Sequence, residues 1–144
     1  MVEIGGRPIL WHIMKRYASY GLNEFVLCLG YRGNMIKEYF LNYEAMNNDC
    51  TVRLGTQNQI TYHGEHAESG FTVTLAETGA DSMTGGRLKR VEKYVDGDEF
   101  LLTYGDGLSN VDLSSLLEFH RSHGRLATVR HCHPQPGPSI QSVN

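Results

Sequence analysis

The clearest candidate for chemistry is Asp106, a single carboxylate between two glycines in the Thr-Tyr-Gly-Asp-Gly sequence of residues 103–107. The apolar run just before it, residues 100–103, predicts a buried parallel strand. Ligands of open α/β sheets bind beyond the carboxyl ends of such strands, and a carboxylate suits a hard cation such as Mg²⁺. Asp and Gly are also the commonest residues of tight turns, so this segment alone leaves a metal site and a simple turn equally open.

A second candidate site is the Ser-Met-Thr-Gly-Gly-Arg-Leu-Lys-Arg sequence of residues 82–90. It predicts the start of a helix, whose free N–H groups and partial positive charge favour an anion. Gly85 and Gly86 would let an anionic or flat ligand approach the backbone. Arg87 would add a planar fork of donors for a phosphate or a nucleobase carbonyl. The alternative, favoured by the segment alone, is a capped helix with a solvated basic face.

Length, charge and cysteine content limit the classes of protein to which the chain can belong. The 144 residues are enough for one domain with a single core. The net charge of −3 and the dispersed basic residues give no indication of nucleic-acid binding, and no apolar stretch approaches the ~20 residues of a membrane span. We see no secretory signal, and three widely separated cysteines are typical of a reducing compartment. We therefore expect a cytoplasmic protein.

Hydrophobic periodicity predicts strands that alternate with helices. Pro8 and Gly21 bound a first helix, and residues 25–29 form a central strand. A second helix has its inward face formed by Met35, Ile36, Tyr39, Phe40 and Tyr43. Asp112 and Gly124 cap a later helix. Weaker strands are predicted at residues 52–54, 60–62, 71–75 and 126–129. This order indicates an α/β fold with a parallel-rich sheet.

Other kinds of site are less well supported. His120 and His123 lie one helical turn apart, and His131, Cys132 and His133 follow in a proline-rich tail. A zinc site needs such ligands on a frame that fixes tetrahedral geometry, so we disfavour it here. The G-x-G-x-x-G dinucleotide fingerprint and the G-x-S-x-G hydrolase elbow are both absent.

Taken together, four segments resemble the bacterial glucose-1-phosphate cytidylyltransferases, a branch of the sugar-phosphate nucleotidyltransferases. The matching segments run from MVEIGGRPILWHIM at residues 1–14, through GYRG at 30–33 and TGADSMTGGRLKR at 78–90, to LTYGDG at 102–107. The resemblance implies a Rossmann-like three-layer nucleotidyltransferase fold with a mixed, mainly parallel sheet, present in part. It covers residues 1–129, the central part of such a domain.

The resemblance also implies a reaction. A cytidylyl group passes from CTP to α-D-glucose 1-phosphate, giving CDP-glucose and pyrophosphate, in nucleotide-sugar biosynthesis for lipopolysaccharide O-antigen. The cofactor implied is Mg²⁺, with Asp106 as a metal ligand. The nucleotide-binding residues implied are Ser82, Thr84, Gly85, Arg87 and Gly105. No catalytic residue is assigned, and the full-length family member is expected to be a homo-oligomer.

Two departures from the family pattern qualify this interpretation. The family's first strand, Gly-rich loop and K-P-K-P segment would precede residue 1, and its second metal-binding aspartate and sugar site would follow the last residue. Residues 130–144 do not match and are expected to be disordered or loosely attached, as a frameshifted or truncated copy would be. We therefore expect the chain to be inactive alone, and we keep a non-catalytic remnant or interaction module as the alternative hypothesis.

Overall fold

The computed structural model describes residues 2–55, 59–131 and 139–143. The α/β class is confirmed, because the described residues combine a parallel pair of strands with helices. The strands are β1 (Glu3–Ile4), β2 (Arg7–Pro8), β3 (Glu24–Leu29), β4 (Asp49–Arg53), β5 (Gln59–His63), β6 (Thr72–Glu77), β7 (Ala127–His131) and β8 (Ser139–Val143). The helices are α1 (Ile9–Ala18), α2 (Gly33–Leu41), α3 (Tyr43–Asn47), α4 (Thr84–Val91) and α5 (Leu113–His123). None of the described helices is long and apolar enough to cross a membrane.

One parallel pair of strands, β3 and β6, forms the centre of the fold. They pair in register from Glu24 opposite Thr72 to Leu29 opposite Glu77. The other three described pairs, β1–β2, β4–β5 and β7–β8, are antiparallel. Because β3 and β6 run in the same direction, their carboxyl ends meet at one edge, where α/β proteins place ligands. The apolar core is small and includes Ile13, Met14, Leu29, Tyr43, Ala76, Val91, Val111 and Leu113.

Most helix boundaries follow the signals in the sequence. Asp112 caps α5 as predicted, because one of its carboxylate oxygens accepts the backbone N–H groups of Ser114 and Ser115 at 3.0 and 3.2 Å. Gly124 ends the same helix with a positive φ of 62°, a conformation that glycine adopts without strain. The single helix predicted over residues 35–43 is instead two helices, because the backbone leaves helical geometry at Asn42.

The predicted strand at residues 100–103 is not formed. This segment has no strand partner in the described part of the chain, and β3 and β6 pair only with each other there. Phe100, Leu102 and Tyr104 are 53, 58 and 70% exposed. A strand is stabilised by hydrogen bonds to a neighbouring backbone and by burial of its faces, and this run lacks both. An apolar sequence was therefore not sufficient to make a strand.

The end of the chain is described in part. Residues 139–143 form β8, which pairs with β7 from Ala127 opposite Val143 to His131 opposite Ser139. The expectation that residues 130–144 are disordered or loosely attached stays a prediction. Residues 132–138 and 144 lie outside the described residues, and the proposed domain boundary after residue 129 stays a prediction.

A polar cluster joins α1 to the loop before β6. The Lys15 ammonium contacts the Glu68 carboxylate at 2.9 Å, and the Glu68 side chain is only 11% exposed. Burial alone would raise the pKa of Glu68, but the hydrogen bond and charge of Lys15, with smaller effects of Tyr43 and His66, lower it overall. Burial is likewise the main cause that raises the pKa of Tyr43 to about 12.

This cluster predicts a pH-dependent contribution to stability. Because the folded-state pKa of Glu68 lies below its unfolded value, its contribution is present above the unfolded pKa of ~4.3 and is lost as pH falls through the folded pKa. Glu68→Gln should lower the melting temperature at pH 7 by about 3–6 °C. Thermal melts between pH 7 and pH 3 should show wild type and variant converging below pH ~4.5. A difference that stays constant down to pH 3 would contradict the assignment.

Candidate functional site

The best-defined polar arrangement lies at the carboxyl edge of the β3–β6 pair. The Arg87 guanidinium of α4 reaches this edge and donates through Nη1 to the carbonyl oxygen of Leu29 at 3.1 Å. The same nitrogen donates to the Thr78 hydroxyl at 2.7 Å, and Nη2 donates to the Ala80 carbonyl at 3.2 Å. Arg87 therefore ties the end of β3 to the loop that follows β6. We call this set of contacts, with Gly30, the Arg87 clamp.

Gly30 provides the space for the guanidinium. A Cβ placed on Gly30 would lie 2.5 Å from both terminal nitrogens of Arg87, a distance that no side chain tolerates. The position directly after β3 therefore has to remain glycine while Arg87 occupies this place. The positive charge also reaches Cys28, where burial raises the pKa of the thiol and Arg87 partly offsets that rise.

A second arginine of α4 holds the same loop from its other side. Arg90 donates through Nη1 to the backbone carbonyl of Thr78 and to the Ser82 hydroxyl, the latter at 2.8 Å. Gly79 lies under this contact with a φ of +86°, and a Cβ there would come within 2.7 Å of Arg90 Nη1. Residues 78–82 are thus fixed by two guanidinium groups, and both charges remain close to the start of α4.

The start of α4 is open to solvent. Met83 precedes the helix without a side-chain cap and is 82% exposed. Thr84 and Gly85 are exposed, and a Cβ at Gly85 or Gly86 would meet nothing within 4 Å. The free N–H groups of the first turn can therefore be approached by an anion. Ser82, Thr84, Gly85 and Arg87, all predicted from the sequence, lie together at this junction.

Gly105 and Asp106 lie in a separate turn. A Cβ at Gly105 would be 3.8 Å from Leu10 Cδ1, which places this turn beside the first residues of α1. Asp106 is exposed and makes no ion pair or side-chain hydrogen bond with the described residues. It is a turn residue and does not lie at the tip of a strand, because residues 100–103 do not pair. No hydrogen bond or ion pair of the described residues joins Asp106 to the Arg87 clamp.

Metal-binding potential is limited in the part of the chain that is described. It contains no group of three or more His, Cys, Asp or Glu side chains that could hold an ion. His120 Nδ1 and His123 Nε2 each lie 2.8 Å from the Thr128 hydroxyl, so these two rings hydrogen-bond to protein. Cys132 and His133 of the disfavoured zinc alternative lie outside the described residues.

Asp106 nevertheless has the donor chemistry that Mg²⁺ prefers. Its carboxylate is exposed and has no side-chain partner among the described residues. Mg²⁺ commonly keeps several waters and is held by one or two carboxylates together with substrate phosphates. A single free carboxylate therefore fits this mode of binding, although it does not make a complete site.

Two clefts lie elsewhere on the molecule. One, of about 250 Å³, has an aromatic lining that includes Trp11, Tyr43 and Phe71. The other, of about 280 Å³, lies between α1 and the loop before β6 and includes Lys15 and Asn23. Neither contains a predicted site residue. In the first cleft, the Trp11 indole N–H donates to the Tyr43 hydroxyl at 3.0 Å, so these two lining side chains hydrogen-bond to each other.

Sequence reasoning missed Gly30, Thr78 and Gly79 as parts of the site. Thr78 lies nine residues before Arg87, but Leu29, next to Gly30, lies 58 residues before it, and the parallel pairing of β3 with β6 brings these segments together. The available signals were the glycine directly after β3, at position 30, and the Thr-Gly pair directly after β6, at positions 78 and 79. Both stand where a backbone must be approached closely.

Comparison with known proteins identifies relatives of similar sequence. No model of a known protein family matches the chain. The glucose-1-phosphate cytidylyltransferase of Salmonella typhimurium is 50% identical over 138 residues, which is 95% of this chain and 52% of that protein. A Bacillus subtilis protein named probable glucose-1-phosphate cytidylyltransferase is 48% identical over 129 residues, or 90% of this chain and 50% of that protein.

A more distant relative has a different name. The probable mannose-1-phosphate guanylyltransferase 1 of Oryza sativa is 23% identical over 129 residues, or 90% of this chain and 30% of that protein. The chain spans about half the length of the cytidylyltransferases that it matches. These relatives are all nucleotidyltransferases by name, consistent with the parallel pair and the helices described above. The chain is thus a homologue of the glucose-1-phosphate cytidylyltransferases, matching them along nearly all of its own length and about half of theirs.

Proposed function

We propose that this chain forms the nucleotide-site half of a glucose-1-phosphate cytidylyltransferase. The reaction transfers a cytidylyl group from CTP to α-D-glucose 1-phosphate and yields CDP-glucose and pyrophosphate. The observation that carries the proposal is 50% identity over 95% of the chain to a protein of that name. The proposal extends to cytoplasmic nucleotide-sugar biosynthesis for O-antigen, and to a homo-oligomeric full-length protein that engages neither membrane nor nucleic acid.

The chemistry of the site supports binding of a nucleoside triphosphate. In-line phosphoryl transfer depends on positioning the reactants and on neutralising charge. Arg87 and Arg90 bring two positive charges to the start of α4, where free backbone N–H groups also favour an anion. The loop of residues 78–82 is fixed by these guanidinium groups and would contact the nucleotide through Ser82, with Thr84 and Gly85 beside it.

Asp106 would hold Mg²⁺ beside the nucleotide, with Gly105 against the nucleotide itself. When bound, the ion neutralises charge on phosphate oxygens. A lone carboxylate holds such an ion weakly until phosphate oxygens join it. We therefore expect metal binding and nucleotide binding to depend on each other.

Arg87 is the first residue to test in binding. Arg87→Lys removes the planar fork but keeps the charge, and should weaken CTP binding to the 144-residue chain at least tenfold, as expected for losing a hydrogen bond to a charged group. Calorimetric titration with CTP in the presence of Mg²⁺ would measure this.

Lys89→Gln is the matched control for that experiment. Lys89 belongs to the same helix, is 79% exposed, and is paired with Glu92 at 2.6 Å. Its removal changes the charge of α4 without touching the Arg87 clamp, so binding should change less than threefold, in keeping with the small contribution of exposed ion pairs. Equal losses of CTP affinity in both variants would contradict a specific role of Arg87 and would mean that it contributes only as one of several positive charges.

The metal role of Asp106 is tested by the dependence of binding on Mg²⁺. We expect Mg²⁺ to strengthen CTP binding by about tenfold in the wild-type chain, and this gain to vanish in Asp106→Asn, which removes the charge and keeps the shape. Asp98→Asn, at another exposed acidic position, should retain the gain. If Mg²⁺ still strengthens CTP binding in Asp106→Asn, Asp106 is not a metal ligand.

Turnover is tested in a chimaera. The 138 aligned residues of the Salmonella typhimurium protein would be replaced by the corresponding residues of this chain, and pyrophosphate release would be followed with glucose 1-phosphate. We expect release with CTP, and its loss in the Asp106→Ala chimaera. Activity with UTP or dTTP but not with CTP would show the proposed substrate to be wrong.

A second candidate is a non-catalytic binding or interaction module derived from the same enzyme. It is favoured by the exposed apolar residues Phe100, Leu102 and Tyr104, which pair with no strand among the described residues. Under this hypothesis the 144 residues bind nucleotide weakly or not at all and release no pyrophosphate. Turnover by the 144-residue chain itself, lost in Asp106→Ala, would eliminate this candidate.

A further inference from the structure

Thr78 is a fully buried polar residue at the centre of the carboxyl edge of the sheet, with a relative exposure of 0%. It directly follows β6. Its backbone N–H donates to the Leu29 carbonyl at 2.9 Å, and its hydroxyl donates to the same oxygen at 2.7 Å. Its hydroxyl oxygen also accepts the Nη1–H of Arg87 at 2.7 Å.

The direction of each hydrogen bond follows from chemistry. A guanidinium can only donate, so the Thr78 oxygen accepts from Arg87 and its single proton goes to the Leu29 carbonyl. That carbonyl also accepts from Arg87 Nη1 at 3.1 Å. Both hydrogens of Nη1 are therefore engaged on one side of the guanidinium, and Ala80 engages one hydrogen of Nη2. The plane of the group is fixed by partners in two separate segments.

This arrangement leaves part of Arg87 available to a ligand. Of the five N–H groups of an arginine, three are used by Leu29, Thr78 and Ala80. The Nε–H and one Nη2–H have no partner among the described residues. Because the guanidinium is flat and rests on Gly30, the direction in which these remaining donors point is set by the contacts on the other side.

We propose that Thr78 is a positioning residue for nucleotide recognition, acting through Arg87. Its hydroxyl fixes the guanidinium against the end of β3 and so aims the two remaining donors at the ligand. This inference rests on the proposed function, since it assumes that Arg87 contacts the nucleotide. It adds a residue that does not itself touch the ligand, because Thr78 is completely buried.

Two substitutions separate the hydroxyl from the shape of the side chain. Thr78→Val removes the hydroxyl and keeps the branched shape, whereas Thr78→Ser keeps the hydroxyl. We expect Thr78→Val to weaken binding of CTP in the presence of Mg²⁺ about tenfold, as for loss of one hydrogen bond to a charged group. Thr78→Ser should bind within about twofold of wild type. Titrations would be made well below the melting temperature of each variant.

A double-mutant cycle with Arg87→Ala distinguishes positioning from a purely structural role. If Thr78 acts through Arg87, Thr78→Val should cause no further loss of CTP affinity in the Arg87→Ala background. An equal loss in both backgrounds would overturn the proposal, because it would mean that Thr78 supports binding by stability alone. Unchanged affinity of Thr78→Val in the wild-type background would overturn it as well.

An NMR measurement on the chain without nucleotide tests this inference independently of the proposed function. In the free chain, the Arg87 Nη1–H groups, which are hydrogen-bonded to Thr78 and Leu29, should give a distinct, slowly exchanging NMR signal that persists in Thr78→Ser and is broadened or lost in Thr78→Val. If wild type binds no CTP, the proposed function fails, and this signal alone decides whether Thr78 orients Arg87. A signal that is unchanged in Thr78→Val overturns the inference.

Discussion

The Arg87 guanidinium is the contact on which the arrangement of this edge depends. It joins the last carbonyl of β3, the buried hydroxyl of Thr78 and the Ala80 carbonyl. Hydrogen bonds from a charged donor contribute about 1.5–3 kcal/mol each, more than neutral ones. Without this cation, the Leu29 carbonyl would keep only its two hydrogen bonds from Thr78. The carboxyl edge of the parallel pair is therefore held by an ionic group that also remains accessible to an anionic ligand.

The two halves of the proposed site differ in how firmly the structure holds them. The loop of residues 78–82 is fixed from both sides, by Arg87 and by Arg90. Asp106, in contrast, occupies an exposed turn after an unpaired apolar segment. The segment before it has no neighbouring strand among the described residues, so its apolar side chains remain in water. The guanidinium side of the site is thus preorganised, whereas the carboxylate side is not held by side-chain contacts with the described residues.

The sequence predicted those features that depend on local interactions. The capping carboxylate of Asp112, the positive φ of Gly124 and the apolar run of β3 were recognised because each acts within a few residues. The strand at residues 100–103 was predicted wrongly because pairing depends on a distant partner that composition does not reveal. Ser82, Thr84, Gly85 and Arg87 were placed in one site through a resemblance. Thr78 and Gly30 were not, since their roles arise only when β3 and β6 pair.

The central claim is that the carboxyl edge of the β3–β6 pair, together with the Asp106 turn, receives a cytidine triphosphate. The most direct measurement is the change of backbone amide chemical shifts when the chain is titrated with CTP in the presence of Mg²⁺. We expect the largest changes at residues 78–87 and at Gly105 and Asp106. Changes confined to the aromatic cleft around Trp11 and Phe71, or no changes at saturating CTP, would contradict it.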